Sequence, residues 1–327
     1  MTSDQSNFAF QSVLAPLMEK FLLEKRACGY RYHEEGRILG HLDSFLSLEG
    51  LARIELPAPV ARKWLSKTAH ESSRTHQQRI TVVRQFAKFL CRLGYCAYVP
   101  DSTLSARNNA NFEPRILTHE QIQKLLQTVD QLAPTARSPL RHLIMPEIFR
   151  LLYGCGFRLG EVLKLRVQDV DLDQGIVTVR QGKFRKDRLV PPALSLVNRL
   201  RNYAARLGNR RDDSIFFPSL HGGPYKLRAV YGVFRRLLLQ CGIAHGGRGK
   251  GPRVHDLRHA FAVHTLLRWY REGADLDAKL PLLATYLGHS HLSGTQRYLH
   301  LTAELFPEVM ARVDAAFGDV IPGRLDS

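Results

Sequence analysis

No run of about 18 apolar residues occurs anywhere in the 327-residue chain, so no segment is expected to cross a bilayer as a helix. The opening stretch MTSDQSNFAF lacks a basic segment followed by an apolar one, and no secretory signal is expected. Cysteine is scarce: Cys28, Cys91, Cys96, Cys155 and Cys241 form no CxxC pair. They read as reduced core thiols of a cytoplasmic protein. Internal repeats and low-complexity tracts are missing, and 44% hydrophobic residues suffice for substantial cores, which excludes wholesale disorder. Acidic residues are in deficit, 30 against 47 Lys and Arg, leaving +17. Such a balance points to a polyanionic partner, nucleic acid in preference to an anionic membrane. The excess is shared along the chain: 15 basic and 10 acidic residues through Phe112, 32 and 20 beyond it. Two basic segments suit a clamp around a duplex better than one basic tail.

The expected architecture is mostly α with a small β-sheet, in two domains. Residues 1–105 carry four helical patterns, ending near Gly29, near Gly50, after PAPVARKWLSKTA, and in SSRTHQQRITVVRQFAKFLCRLGY. The fourth sets Ile80, Val83, Phe86, Leu90 and Leu93 on an apolar stripe. Arg74, Gln77, Thr81, Arg84, Lys88 and Arg92 line another face, a surface suited to phosphates. Residues 106–116 are polar and aperiodic, a linker. Residues 117–327 form the second domain, opened by a capping box of Thr118 and Gln121. Within it, Pro146 is expected to kink or split a helix starting at Ser138-Pro139. GIVTVRQ and DRLVPP read as strands around the basic turn GKFRKD, which carries Lys183, Arg185 and Lys186. A Gly-rich basic loop holds Arg248, Lys250 and Arg253.

The chemistry-bearing residues sit in separate pieces. Arg158 follows a Gly-rich helix end and precedes a helix with Glu161. In HDLRHAFAVH, His255 and Arg258 share a face at a helix start, where the dipole favours an anion. His264 reads as a core histidine. LPLLATYLG is a helix begun at Leu280-Pro281 and stopped by Gly288, with His289 just beyond. Ser293 and Gln296 form a capping box for the next helix, which carries Tyr298. No tight histidine or cysteine pair has supporting carboxylates, so no metal and no other cofactor is expected.

The ordered pieces GCGFRLGE, QGKFRKDRLVPP, HDLRHAFAVH and LGHSHLSGTQRYLH resemble the tyrosine recombinase family, also called the phage integrase family. Cys155-Gly156 and Gly160 stand where that family often has Thr-Gly and Ser. The resemblance implies a helical core-binding domain followed by a mixed catalytic domain. It implies Arg158, Lys183, His255, Arg258, His289 and Tyr298 as the catalytic set, with Tyr298 the nucleophile and Lys183 the general acid. Glu161 would orient a basic residue behind them. The expected function is site-specific recombination of double-stranded DNA through a 3′-phosphotyrosyl intermediate, without ATP or metal.

Expected partners are DNA with inverted-repeat-like sites, a second copy assembling from dimer to tetramer, and accessory proteins or a partner recombinase. An apolar stripe over residues 304–317 would pack on its own domain or, by resemblance, dock in a neighbouring protomer. Two other readings stand beside this one: a type IB topoisomerase relaxing supercoils, and a catalytically silent DNA-binding protein.

Overall fold

The computed structural model describes residues 8–101, 104, 114–180, 187–247, 251–289, 291–296 and 298. It divides into two compact units, Met1–Phe112 and Glu113–Ser327. Among the expected linker residues, 106–113 lie outside the described ones.

Among the described residues, the first unit holds four α-helices: α1 (Ala15–Ala27), α2 (His33–Leu48), α3 (Ala58–Leu65) and α4 (Ser73–Arg92). Each turns an apolar stripe inward: Met18 and Phe21, Leu39 and Leu42, Ala61 and Leu65, and Ile80, Val83, Phe86 and Leu90. Ser72 caps α4 by accepting the Thr75 N–H at 3.0 Å. His76 then ties α4 to the end of α3 through a 2.7 Å bond with the Leu65 carbonyl. The predicted stripe on α4 loses its last member, because Leu93 is the residue after the helix and is 37% exposed.

The second unit contains α5 (His119–Asp130), α6 (Arg141–Gly154), α7 (Leu159–Val162), β1 (Val170–Asp171), β2 (Ile176–Val179) and β3 (Arg188–Val190). There follow α8 (Leu194–Leu207), α9 (Leu227–Gln240), α10 (Asp256–Arg271), α11 (Leu276–Leu287) and the single turn α12 (Ser293–Gln296). Thr118 and Gln121 make the reciprocal cap on α5, at 3.2 and 3.1 Å. The strands form one antiparallel sheet in the order β1-β2-β3, with Val177 opposite both Val170 and Val190. The two expected strands are present, and β1 is an addition too short for a period-2 pattern to reveal.

Proline placement differs from expectation. Helix α6 begins at Arg141 and runs through Pro146 without a break. A proline in the second turn deletes one N–H···O bond near the helix start, and burial of Ile144, Met145 and Ile148 around it outweighs that loss. Likewise α11 begins at Leu276, capped by Asp275, rather than at Leu280-Pro281. Of the five cysteines, only Cys155 and Cys241 are buried; Cys91 on α4 is exposed, as are Cys28 and Cys96, which lie outside the helices and strands.

Candidate active site

The site is built on the second unit, where α10 is the central helix. Asp256, Leu257, Arg258, His259, Ala260, Ala262 and Val263 are all buried, so even its polar residues face protein. Its first turn delivers His255, the residue before the helix, and Arg258, which is 1% exposed. A guanidinium so deeply placed must spend its donors on protein acceptors. Arg258 donates through Nη1 to the Gly156 carbonyl at 2.6 Å and through Nη2 to the Leu287 carbonyl at 2.7 Å.

Those two carbonyls belong to the two turns that present the remaining groups. Between α6 and α7, Gly156 has φ +62°, and a Cβ there would lie 2.6 Å from Leu287 and Phe261 atoms. Only glycine fits, and the turn it permits places Arg158 immediately before α7. At the end of α11, Gly288 takes the left-handed conformation, φ 67° and ψ 46°, and terminates the helix. His289 follows; its N–H bonds the Ala284 carbonyl at 2.9 Å, and its Nδ1 is hydrogen-bonded to Thr295 Oγ1 at 2.7 Å. Ser293 is the first residue of α12 rather than its cap, and Thr295 is the residue that joins this turn to His289.

Arg158 donates to Glu161 Oε1 at 2.7 Å and to the Gly288 carbonyl at 3.2 Å, while its backbone N–H bonds Glu161 Oε2 at 2.9 Å. Glu161 is shared. Arg188, from β3, donates to both its oxygens at 3.0 and 2.7 Å and to the Tyr286 carbonyl at 3.1 Å. Burial alone would raise the Glu161 carboxyl, but the bonds and charges of Arg188 and Arg158 outweigh it and hold it at about 2. Sequence reasoning missed Arg188. The arginine directly after the basic turn, alternating with buried Val190, was the available signal.

Tyr298 is 1% exposed. Its hydroxyl is 2.9 Å from Nδ1 of His259, and its ring stacks against His289 with centroids 6.1 Å apart. His255 meets the His259 ring edge-on at 4.7 Å. His259 is the second residue that sequence reasoning passed over.

The structure therefore gathers Arg158, Glu161, His255, Arg258, His289 and Tyr298. Lys183, Arg185 and Lys186 lie outside the described residues, as do Arg248 and Lys250 and the 304–317 segment. Arg253 is not a freely projecting cation: its N–H and Nη2 donate to buried Asp256 at 2.8 and 2.9 Å. On α4, Arg74, Gln77 and Lys88 are exposed, whereas half-buried Arg84 donates to the Pro100 carbonyl because it lies against the chain leaving the helix. His264 is a core histidine, bonded to the Tyr153 hydroxyl at 3.0 Å and stacked on His119.

Burial, reinforced by Arg258, Arg158 and neighbouring charges, lowers His255 to about 4 and His289 to about 3; burial beside His119 lowers His264 to about 4. Each ring is neutral when folded but binds a proton near pH 6.5 when unfolded, so stability should fall as pH drops below 6.5. Partial exposure screens the effect, leaving a combined loss of roughly 4 kcal/mol by pH 5. Glu161 acts only below about pH 4.5, where its depressed value begins to matter. Urea midpoints measured from pH 7.5 to 5 check this; a flat profile would contradict neutral burial of the rings.

A helical unit with a three-stranded sheet, carrying paired arginines, histidines and a tyrosine around one helix, is the architecture of a tyrosine-recombinase catalytic domain. The phage integrase family matches residues 115–304, and the chain belongs to that family. It is similar to the integrase/recombinase-type protein y4rB of Sinorhizobium fredii, 31% identical over 94% of this chain and 99% of that protein. Tyrosine recombinase XerD of Rhizobium meliloti is 31% identical over 88% of this chain and 90% of its own. Among solved structures, XerH site-specific recombinase bound to palindromic difH substrate has a TM-score of 0.63 at 21% identity, covering 90% of this chain and 83% of that one. The Tn1549 transposon integrase in complex with transposon right end DNA has a TM-score of 0.62 at 15% identity, covering 90% and 99%. These structural likenesses show the fold. Among the described residues, no helix is long and apolar enough to cross a membrane.

Proposed function

We propose that this chain is a site-specific recombinase of double-stranded DNA that cuts and rejoins strands through a phosphotyrosine. The observation that supports this most is the convergence of Arg158, Arg258, His255 and His289 on Tyr298 from segments far apart in the chain. A phosphodiester has two charged nonbridging oxygens. Two guanidiniums bind such oxygens with charge-assisted bonds and remain protonated as negative charge develops. Burial and the Arg158 charge pull Arg258 down only to about 9, so it keeps its charge at neutral pH. His289, held neutral, offers a ring N–H as a further donor.

In the proposed reaction Tyr298 attacks phosphorus, the 5′-oxygen leaves, and a 3′-phosphotyrosyl link preserves the phosphodiester energy for resealing by a second 5′-hydroxyl. Lys183, five residues before Arg188 in the sequence, would protonate the leaving oxygen. Lys183→Ala should slow cleavage about 10²- to 10⁴-fold with a natural 5′-oxygen and far less with a 5′-bridging sulfur, which departs without a proton. An equal loss with both leaving groups removes Lys183 as the acid.

The exposed α4 cations Arg74 and Lys88 support a duplex-contacting role for the first unit. In the second unit, Arg137, Arg141, Lys226, Arg228 and Arg236 surround an open cleft of about 1090 Å³ whose lining holds no carboxylate. This cleft suits a sugar-phosphate backbone. Self-association on DNA, through residues 304–317, with accessory proteins or a partner recombinase, completes the proposal. The relatives' names favour recombination over supercoil relaxation or silent binding.

The test is a covalent trap in cells: the protein is isolated under denaturing conditions and attached DNA is sequenced. Adducts at one motif are expected. Scattered adducts would instead indicate a topoisomerase, and none would indicate a silent DNA binder.

A further inference from the structure

We infer that Arg188 is a positioning residue for strand cleavage: it fixes both acceptors that hold the Arg158 guanidinium, and so sets where that group meets the phosphate. This rests on the reading of Arg158 as a phosphate-binding residue.

What a guanidinium can bind depends on where its N–H bonds point, because the five of them lie on one rigid plane. Arg158 gives Nη1 to Glu161 Oε1 at 2.7 Å and Nη2 to the Gly288 carbonyl at 3.2 Å. Neither acceptor is held by Arg158 alone. Glu161 receives both Nη atoms of Arg188, at 3.0 and 2.7 Å. Against burial, which would raise the Glu161 carboxyl, the bond and charge of Arg188 act more strongly than those of Arg158. The second acceptor is fixed from the same side chain. Arg188 Nε donates to the Tyr286 carbonyl at 3.1 Å, two residues before Gly288. A Cβ on Gly288 would lie 3.0 Å from Arg188 Cδ, so the turn and the arginine are in close contact.

The sheet places Arg188 for this. It opens β3, pairs with Val179 on β2, and sets its guanidinium carbon 5.7 Å from the Phe157 ring centroid. Just beyond the strand, the Pro191 carbonyl accepts the Tyr286 hydroxyl at 3.1 Å, so β3 is tied to the end of α11 at both of its own ends. Bonded through Nε and both Nη atoms, with 10% of its side chain exposed, Arg188 acts through Arg158 rather than on the phosphate. A lysine could meet one of these acceptors but not the whole fork.

The test follows adduct formation by full-length protein, in excess over a nicked duplex carrying the motif recovered from wild-type adducts. The variants are Arg188→Gln, Arg188→Lys, Arg158→Ala and the double variant of Arg158→Ala with Arg188→Gln. Arg199→Gln, which strips a cation from buried Glu147 between α8 and α6, is the control for lost stability. Gel shifts and thermal midpoints check folding. Arg158→Ala is expected to cleave about 10²- to 10³-fold slower, as for one lost donor. Arg188→Gln should be about 10²-fold slower, the cost of misplacing a group by about 1 Å, and Arg188→Lys should recover part of that. The double variant should be no slower than Arg158→Ala, because the effect of Arg188 passes through the group already removed. Arg199→Gln should stay within threefold of wild type.

A second substrate carries a methylphosphonate at the scissile position, in each of its two diastereomers, so that one charged oxygen or the other is removed. The diastereomer that Arg158→Ala tolerates better should also be the one that Arg188→Gln tolerates better. A merely structural role gives no such preference.

Should wild type form no adduct, or Arg158→Ala cleave like wild type, the reading of the site falls and this inference with it. With those two as expected, Arg188→Gln cleaving within threefold of wild type overturns the inference alone. So do multiplied losses in the double variant, a like loss in Arg199→Gln, or a diastereomer preference that differs from that of Arg158→Ala. If Arg188→Gln does not bind the duplex, Arg188→Lys takes its place in the cycle. Failure of both to bind makes Arg188 structural and overturns the inference.

Discussion

Tyr298→Phe is expected to fold and bind DNA while forming no covalent adduct. Phenylalanine fills the same buried volume, so no cavity opens. The loss is the hydroxyl's bond to His259, about 1 kcal/mol for a single pairing whose partner ring is left to find another. The thermal midpoint should therefore move by only a few degrees. Cleavage has no substitute nucleophile at that position, and the rate should fall about 10⁴- to 10⁶-fold, the scale seen when a nucleophile is deleted. Denaturing gels of protein incubated with the captured DNA site read the adduct, and gel shifts read binding. Adducts persisting in the variant would mean that another residue attacks.

Arg258→Lys should lose both stability and rate. The guanidinium bonds two carbonyls at once, Gly156 in the turn before Arg158 and Leu287 in the turn before His289. One ammonium cannot reproduce that fork, and a buried carbonyl left unpaired costs about 1–3 kcal/mol. The two turns would then be less firmly held, and cleavage should fall about 10²- to 10³-fold, the usual effect of losing one preorganised donor.

A pH signature separates this from simple misfolding. Burial, with Arg158 adding to it, draws Arg258 from 12.5 to about 9. Lysine starts about 2 units lower, so the same surroundings would bring it to roughly 7. Residual activity of the variant should fall as pH rises through 7, because the cation is then lost, while wild type keeps its charge to about 9. A variant whose activity tracks wild type from pH 6 to 8 would contradict the assignment.

The local features were legible before the fold was known. Thr118 with Gln121, Gly288 as a helix stop and the stripe on α4 each depend on neighbours within four residues, where spacing and propensity act directly. The ordered motifs likewise carried Arg158, His255, Arg258, His289 and Tyr298 without coordinates. A local rule gave way where burial prevails: Pro146 does not interrupt α6. Nor does spacing reveal that Arg84 and Arg253 each give a donor to protein, to Pro100 and Asp256.

The sequence by itself determined the helices, the hairpin strands, the glycines that turn the chain at 156 and 288, and the identity of the groups delivered there. Tertiary structure decided how those groups connect. Arg188 reaches Glu161 across 27 residues, and Arg258 reaches Gly156 across 102. His255, just before α10, and His259 within it lie one turn apart, so periodicity gives both equal claim to Tyr298. Packing of α10 against the turn beyond α12 brings His259 within 2.9 Å of the hydroxyl. Separations of that kind are set by how helices cross, which no spacing along a single helix encodes.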